Sequence, residues 1–284
     1  MKKTWLCGRY ELSFERPLLM GILNITPDSF SDGNQYLHTD AAIAHAQQLI
    51  ADGADILDIG AESTRPGAEP VPLDEELRRL LPVIEGLRAL NIPISVDTFK
   101  PEVMRAVLDA GVDIINDIAG FRYAESIEVV ANSNCGLCVM HMQGEPRTMQ
   151  QQPHYEDVAA EVRTFLAQQV SALRLAGVAP ERIMLDPGLG FGKTVAHNYS
   201  LLRGFSEIQL ESYPYPWLIG LSRKSMIGHL VDKPPQQRMA GSLAGMLAAV
   251  ARGAAVLRVH DVAESADALK IWLAIEKGIN NERT

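Results

Sequence analysis

Eight short apolar runs in this chain each end on polar or charged residues. Those end positions carry Asn24, then Glu62 to Arg65, Asp97, Asn116, Met140 with His141, Asp186, Ser222 to Lys224, and Arg258 with His260. Asp97, Asn116 and Asp186 are acceptors able to face a planar, nitrogen-rich group with several N–H donors. Lys224 can donate to a ring carbonyl. Arg65, Arg258 and His260 form a cationic set suited to phosphate, and arginine can grip it in bidentate fashion. The set is built for a flat, guanidine-like heterocycle below and a phosphate or pyrophosphate near the rim. Any one of these groups could be a satisfied core polar or a helix cap. A whole ring of them is not what apolar strands and ordinary turns supply.

Such a ring needs elements that bring eight run ends together. Residues 18–23 are continuously apolar, which suits a strand buried on both faces, and a polar loop with Pro27, Asp28, Asp32 and Gly33 follows Asn24. Thr39 or Asp40 can cap the helix that comes next, which ends at Gly53. The same unit recurs, with strands expected at 54–60, 92–98, 112–119, 137–142, 182–186, 217–221 and 255–259. Helices are expected at 73–90, from Pro101 to Gly111, and at 126–131, 156–176, 198–210 (in part), 236–252 and 263–278. Eight strand–helix units of roughly thirty residues each predict a TIM-type (β/α)8 barrel, whose chemistry gathers at the strand C-termini. A doubly wound open sheet shares the local pattern and differs only in count. Loose alternation over 4–14 around Gly8 predicts a short β-hairpin ahead of the barrel. No low-complexity linker interrupts the chain, so a single domain over 1–284 is expected, with the hairpin in 1–16 and the barrel in 17–278.

Composition bounds the partners. Of 284 residues, 47% are hydrophobic and 21% charged, enough for a sizeable core, and a net charge of −9 argues against a nucleic-acid or anionic-membrane surface. No run reaches membrane-spanning length, the first residues lack a signal-peptide pattern, and three cysteines fit a reducing cytoplasm. The stretch from Gly188 to Thr194 resembles a phosphate-binding P-loop, but Pro187 stands where the first glycine is required. Its glycines suit a tight turn, Phe191 a pocket wall, and Lys193 either a functional group or part of the turn. Cys135 and Cys138 have redox spacing but enter a strand rather than open a helix, which makes them structural.

The blocks in order resemble one family. They are Met-Gly-Ile-Leu-Asn-Ile-Thr-Pro-Asp-Ser-Phe-Ser-Asp-Gly at 20–33, Asp-Ile-Gly-Ala-Glu-Ser-Thr-Arg-Pro-Gly at 58–67, and Ser-Val-Asp-Thr at 95–98. Then follow Asn116-Asp117, Met-His-Met-Gln-Gly at 140–144, Asp-Pro-Gly-Leu-Gly-Phe-Gly-Lys at 186–193, Ser-Arg-Lys-Ser at 222–225 and Arg-Val-His-Asp at 258–261. Together they resemble dihydropteroate synthase, with Asn34 a small departure where many members carry a second glycine. The resemblance implies a transferase that joins 6-hydroxymethyl-7,8-dihydropterin pyrophosphate to 4-aminobenzoate with Mg²⁺ and is inhibited by sulfonamides. It implies that Asp97, Asn116, Asp186 and Lys224 hold the pterin, with Met140, Phe191 and Arg258 against its faces. Asn24, Arg65, Arg258 and His260 would serve the pyrophosphate, Asn24 also reaching the metal. Phe30, Thr64, Arg65, Pro66, Phe191 and Ser222 would border the aminobenzoate. Lys224, Arg258, Asp97 and Arg65 are the expected catalytic set, 26–33 is an expected lid, and a homodimer through the late helices is implied.

Three other readings share parts of this pattern. A corrinoid-linked methyltransferase domain would use the same barrel and pterin site, but no corrinoid module follows. A Schiff-base aldolase would use Lys224. A silent paralogue would bind pterin without turnover.

Overall fold

The computed structural model describes residues 4–25, 35–62 and 69–278. Strands β1 (Thr4–Cys7) and β2 (Tyr10–Ser13) form an antiparallel hairpin. Eight parallel strands follow: β3 (Leu18–Asn24), β4 (Ile56–Gly60), β5 (Ile94–Asp97), β6 (Ile114–Asp117), β7 (Gly136–Met140), β8 (Ile183–Asp186), β9 (Leu218–Ile219) and β10 (Val256–Val259). Their order is β8-β7-β6-β5-β4-β3-β10-β9, and a parallel bridge from Leu185 to Trp217 joins the two ends. The Leu185 N–H donates to the Pro216 carbonyl across that seam at 3.0 Å. The sheet is a barrel rather than the open alternative.

Helices α1 (Gln35–Ala51), α2 (Leu73–Leu87), α3 (Pro101–Asp109), α4 (Ala124–Ala131), α5 (Val158–Leu175), α6 (Val195–Arg203), α7 (Ser225–Val231), α8 (Met239–Val250) and α9 (Val262–Lys277) follow in chain order. Pro101 opens α3 at its first turn, where a missing N–H costs nothing. Two expectations change. Helix α1 begins at Gln35, ahead of Thr39 and Asp40, since a residue suited to capping is also tolerated in the first turns. Helix α7 is absent from the sequence reading: seven residues containing Gly228 are too short to display an amphipathic period.

Each barrel strand is apolar on both faces, but the faces serve different cores. Leu19, Leu23, Leu57, Ile59, Val96, Ile115, Val139 and Leu185 pack outward under the helices. Leu18, Met20, Ile56, Ile114, Cys138, Met184, Leu218 and Val256 point inward and close on Trp5 and Cys7 of the hairpin. The hairpin is therefore the barrel floor. At Gly136 a Cβ would lie 2.6 Å from Cys7 Sγ and 3.1 Å from the Trp5 ring, so only glycine lets the floor close. Trp5 Nε1 donates to the Arg182 carbonyl at 2.9 Å, and Arg9 Nε donates to Asp113 Oδ1 at 2.9 Å. Cys138 is a buried free thiol within this packing, and Cys135, just before β7, is a buried free thiol of the outer core.

Candidate active site

Two residues beyond the apolar floor, the same inward face of the barrel becomes polar. Ile56 gives way to Asp58, Ile114 to Asn116, Met184 to Asp186 and Val256 to Arg258, because side chains two apart share a strand face. Ser95 and Asp97 continue the layer on β5, and register aligns Asn24 with Gly60, Gly60 with Asp97, and Asp97 with Asn116.

Arg258 organises the layer. Its Nε donates to Asp58 Oδ2 at 2.6 Å and its Nη2 to Asp97 Oδ2 at 3.1 Å. Burial works against its charge, but the two aspartates outweigh burial and hold the guanidinium protonated. Asp58 also accepts from Ser95 Oγ at 2.6 Å, and Asn116 Nδ2 lies 3.3 Å from Oδ2 and 3.4 Å from Oδ1. Asp97 Oδ1 is buried without a partner among the described residues. Burial, opposed by Arg258 and reinforced by Asp58, pushes the Asp97 carboxyl up to about 7.

On the neighbouring strands, burial also raises Asp186, whose Oδ1 accepts the Gly188 N–H at 2.7 Å. Lys224 stands just before α7 and reaches in to donate to the Leu189 carbonyl, with Nζ 4.7 Å from the Phe191 ring centroid. Burial lowers its amine to about 8, against the pull of Asp186. Met140 clusters with Ile118, Met142 and Met149 against Phe99 and Phe191, an apolar wall beside the polar layer.

At the rim, the His260 N–H donates to Ser222 Oγ at 3.3 Å, and its ring Nδ1 lies 3.1 Å from the same oxygen. Burial, with Arg258 and Arg223 nearby, pushes His260 down to about 4. Arg223 has φ +59° and pairs with Asp261 through Nε at 3.0 Å, which ties the loop after β9 to the loop after β10. Asn24 is half-buried at the end of β3.

The barrel mouth thus brings together Asp97, Asn116, Met140, Asp186, Phe191, Lys224 and Arg258, with Asn24, Ser222 and His260 above. Phe30, Thr64, Arg65 and Pro66 lie outside the described residues, as does the expected lid at 26–33. Two other strand-end groups have structural work. Glu62 accepts from Lys100 Nζ at 2.6 Å, and that amine also holds Glu76. His141 turns outward, edge-on to Phe165 with centroids 5.1 Å apart, and burial pushes it down to about 2.

Lys193, with two roles open in the sequence, is a staple. Its buried Nζ lies 2.8 Å from His141 Nδ1 and donates to the carbonyls of Gly188 and Phe191 at 3.0 Å each. It joins the loops after β7 and β8 and so sets where Phe191 stands. Gly188 is fixed by the same contact: a Cβ there would lie 1.8 Å from the His141 carbonyl oxygen. Asp58 is a site residue that sequence reasoning missed. Its signal is a carboxylate inside the apolar run 56–59, since a charge in a fully buried strand is the informative exception.

A closed barrel whose mouth offers buried acceptors, one amine and a stackable guanidinium has the form of a pterin-binding enzyme, and a family model described as "Pterin binding enzyme" matches residues 20–260. Within that class the chain belongs to the dihydropteroate synthase family. It is 48% identical to a dihydropteroate synthase of Neisseria meningitidis serogroup C, over 98% of this chain and 99% of that one. A crystal structure of Burkholderia cenocepacia dihydropteroate synthase complexed with 7,8-dihydropteroate superposes with a TM-score of 0.89 at 54% identity, covering 97% of each chain. The Yersinia pestis enzyme in a sulfonamide drug complex gives 0.89 at 43% identity, over 96% of this chain and 99% of that one.

Proposed function

We propose that this chain condenses 6-hydroxymethyl-7,8-dihydropterin pyrophosphate with 4-aminobenzoate, releasing pyrophosphate and 7,8-dihydropteroate for folate biosynthesis. The observation that carries the reading is the buried, unpartnered Asp97 Oδ1 beside Asn116 and Asp186. An unmet buried acceptor is costly, and a pterin edge supplies the N–H groups that relieve it. Lys224 donates to the ring carbonyl, Met140 and Phe191 enclose one face, and the Arg258 plane covers the ring. Phe30, Thr64, Arg65, Pro66, Phe191 and Ser222 border the aminobenzoate.

The reaction breaks the bond from the pterin methylene to the pyrophosphate oxygen, which leaves with the electron pair. We take this step as SN1-like, because the electron-rich dihydropterin delocalises the methylene cation. Arg258, Arg65 and His260 meet the charge gathering on the leaving group. His260, neutral when the site is empty, gains a proton more readily once that charge arrives. The aminobenzoate nitrogen then bonds to the methylene carbon, and the arylammonium so formed is acidic enough to give its proton to pyrophosphate or water, so no strong base is required.

Mg²⁺ fits the donors present. Magnesium keeps several waters and takes one or two protein oxygens beside substrate phosphates. Asn24 offers one amide oxygen, and among the described residues no group of three His, Cys, Asp or Glu could hold a metal. Asn24 would hold the cation, which would supply neutralisation of charge on the leaving group.

The chain acts as one barrel domain with the hairpin as its floor. Exposed Leu230, Met239, Ile271 and Ile275 on or beside α7 to α9 support a homodimer through the late helices. Three buried free thiols suit a cytoplasmic setting, and among the described residues no helix is long and apolar enough to cross a membrane. Pyrophosphate release on adding both substrates with Mg²⁺ tests the function. Turnover in Lys224→Ala and Arg258→Ala equal to that of the wild type would overturn the site. Clean inversion at an isotopically chiral methylene would count against a free cation.

A further inference from the structure

Asp58 lies on β4 within the polar layer of the barrel mouth, with 0% of its surface exposed. Both of its oxygens are taken. Oδ1 accepts from Ser95 Oγ at 2.6 Å, Oδ2 accepts from Arg258 Nε at 2.6 Å, and Asn116 Nδ2 approaches both. No acceptor remains on it for a ligand, in contrast to Asp97. Its influence on a bound ring must pass through its neighbours.

That influence has a definite form. Asp58 accepts from Arg258 on one oxygen and from Ser95 on the other, so Asn116 offers it the amide NH2. The Asn116 carbonyl oxygen is then left for the barrel interior, where an N–H donor can use it. Guanidinium N–H bonds lie in the plane of the group, and Asp58 with Asp97 holds Arg258 by its edge through Nε and Nη2. Edge-on bonds engage neither face of the guanidinium. Resting on the pterin reading above, we propose that Asp58 is a positioning residue for pterin recognition, turning the Asn116 amide acceptor-inward and setting the plane of Arg258.

The variant Asp58→Asn keeps the shape and reverses one hydrogen-bond polarity. With its oxygen accepting from Arg258, the new amide at position 58 turns its NH2 towards Asn116. The new NH2 then stands 3.4 Å from the Asn116 NH2, and relief of that donor–donor contact turns the Asn116 amide to present a donor where the ring needs an acceptor. The affinity of the folded variant for 7,8-dihydropteroate, measured by calorimetry, is expected to fall by about a hundredfold. Adding Asn116→Asp restores the pattern, because a carboxylate at position 116 can accept from the new amide with one oxygen and face the ring with the other. The double variant is expected to recover at least about tenfold of the loss, a rescue that a merely structural role would not give. If Asp58→Asn alone does not fold, Asn116→Asp replaces it as the reference, and the double variant should again bind more tightly. Wild-type affinity in Asp58→Asn would overturn the assignment. So would a double variant no better than either single one. Pyrophosphate release by the wild type, run alongside, tests the reaction itself and separates its failure from that of the Asp58 role.

Discussion

The barrel interior has two ends made by the same strands. At the floor, Leu18, Met20, Ile56, Ile114, Cys138, Met184, Leu218 and Val256 close on Trp5 and Cys7 with no charged group in the cluster. Two residues further along, Asp58, Asn116, Asp186 and Arg258 occupy the same faces. The floor has its hydrogen bonds met at its edges, by Arg182 and Asp113. The mouth keeps Asp97 Oδ1 unmet and several ionisable groups displaced from their ordinary values. One end has its polar groups met by the fold alone; the other leaves a buried acceptor unmet.

The contrast can be broken by showing that a floor residue controls turnover, or that a mouth residue matters only to stability. The largest effect is expected at the mouth: Arg258→Ala should lower kcat/KM on the order of a thousandfold, read by pyrophosphate release. Next comes the floor, where Trp5→Ala leaves a large cavity and should cost about 3–5 kcal/mol in urea unfolding. Dihydropteroate affinity of the folded Trp5→Ala protein should match the wild type.

The third test concerns pH. Asp97 is raised from 3.8 to about 7, so the fold holds its proton more tightly than the unfolded chain does. Its contribution to stability is complete below about 3.8 and is lost as pH rises through about 7. Asp97→Asn mimics the protonated form. The melting temperature of the ligand-free wild type should therefore fall relative to Asp97→Asn by a few degrees, on the order of 5 °C, between pH 4 and pH 8. Parallel curves would refute the assignment. The smallest effect is at the floor again. Arg9 is half exposed where it meets Asp113, so Arg9→Ala should cost about 1 kcal/mol or less and leave turnover unchanged.

The ring of strand-end groups was legible because charge after an apolar run stands out. Asp97, Asn116, Asp186, Lys224 and Arg258, which the fold gathers at the barrel mouth, stand out that way, and the barrel follows from the count of runs. Which face each residue takes was not legible. A strand buried on both sides shows no alternation, so nothing in 56–60 separates Leu57 under the helices from Ile56 on the floor. Asp58 was missed for that reason, and His141 was placed in the ring although it turns outward. Lys193 stayed ambiguous because its partners come from two loops. The short helix α7 left no period to read, yet it carries Lys224 at its start.

The floor also has a schedule. Trp5 hydrogen-bonds to Arg182, 177 residues later in the chain. At ribosomal speeds of roughly 5–20 residues per second, the hairpin waits about 10–35 s for that partner to be synthesised. The native seat of its apolar face is incomplete until β7 and β8 arrive. The first segment made is among the last to dock, so a nascent chain halted before Arg182 should expose Trp5 to quenchers that the finished protein excludes.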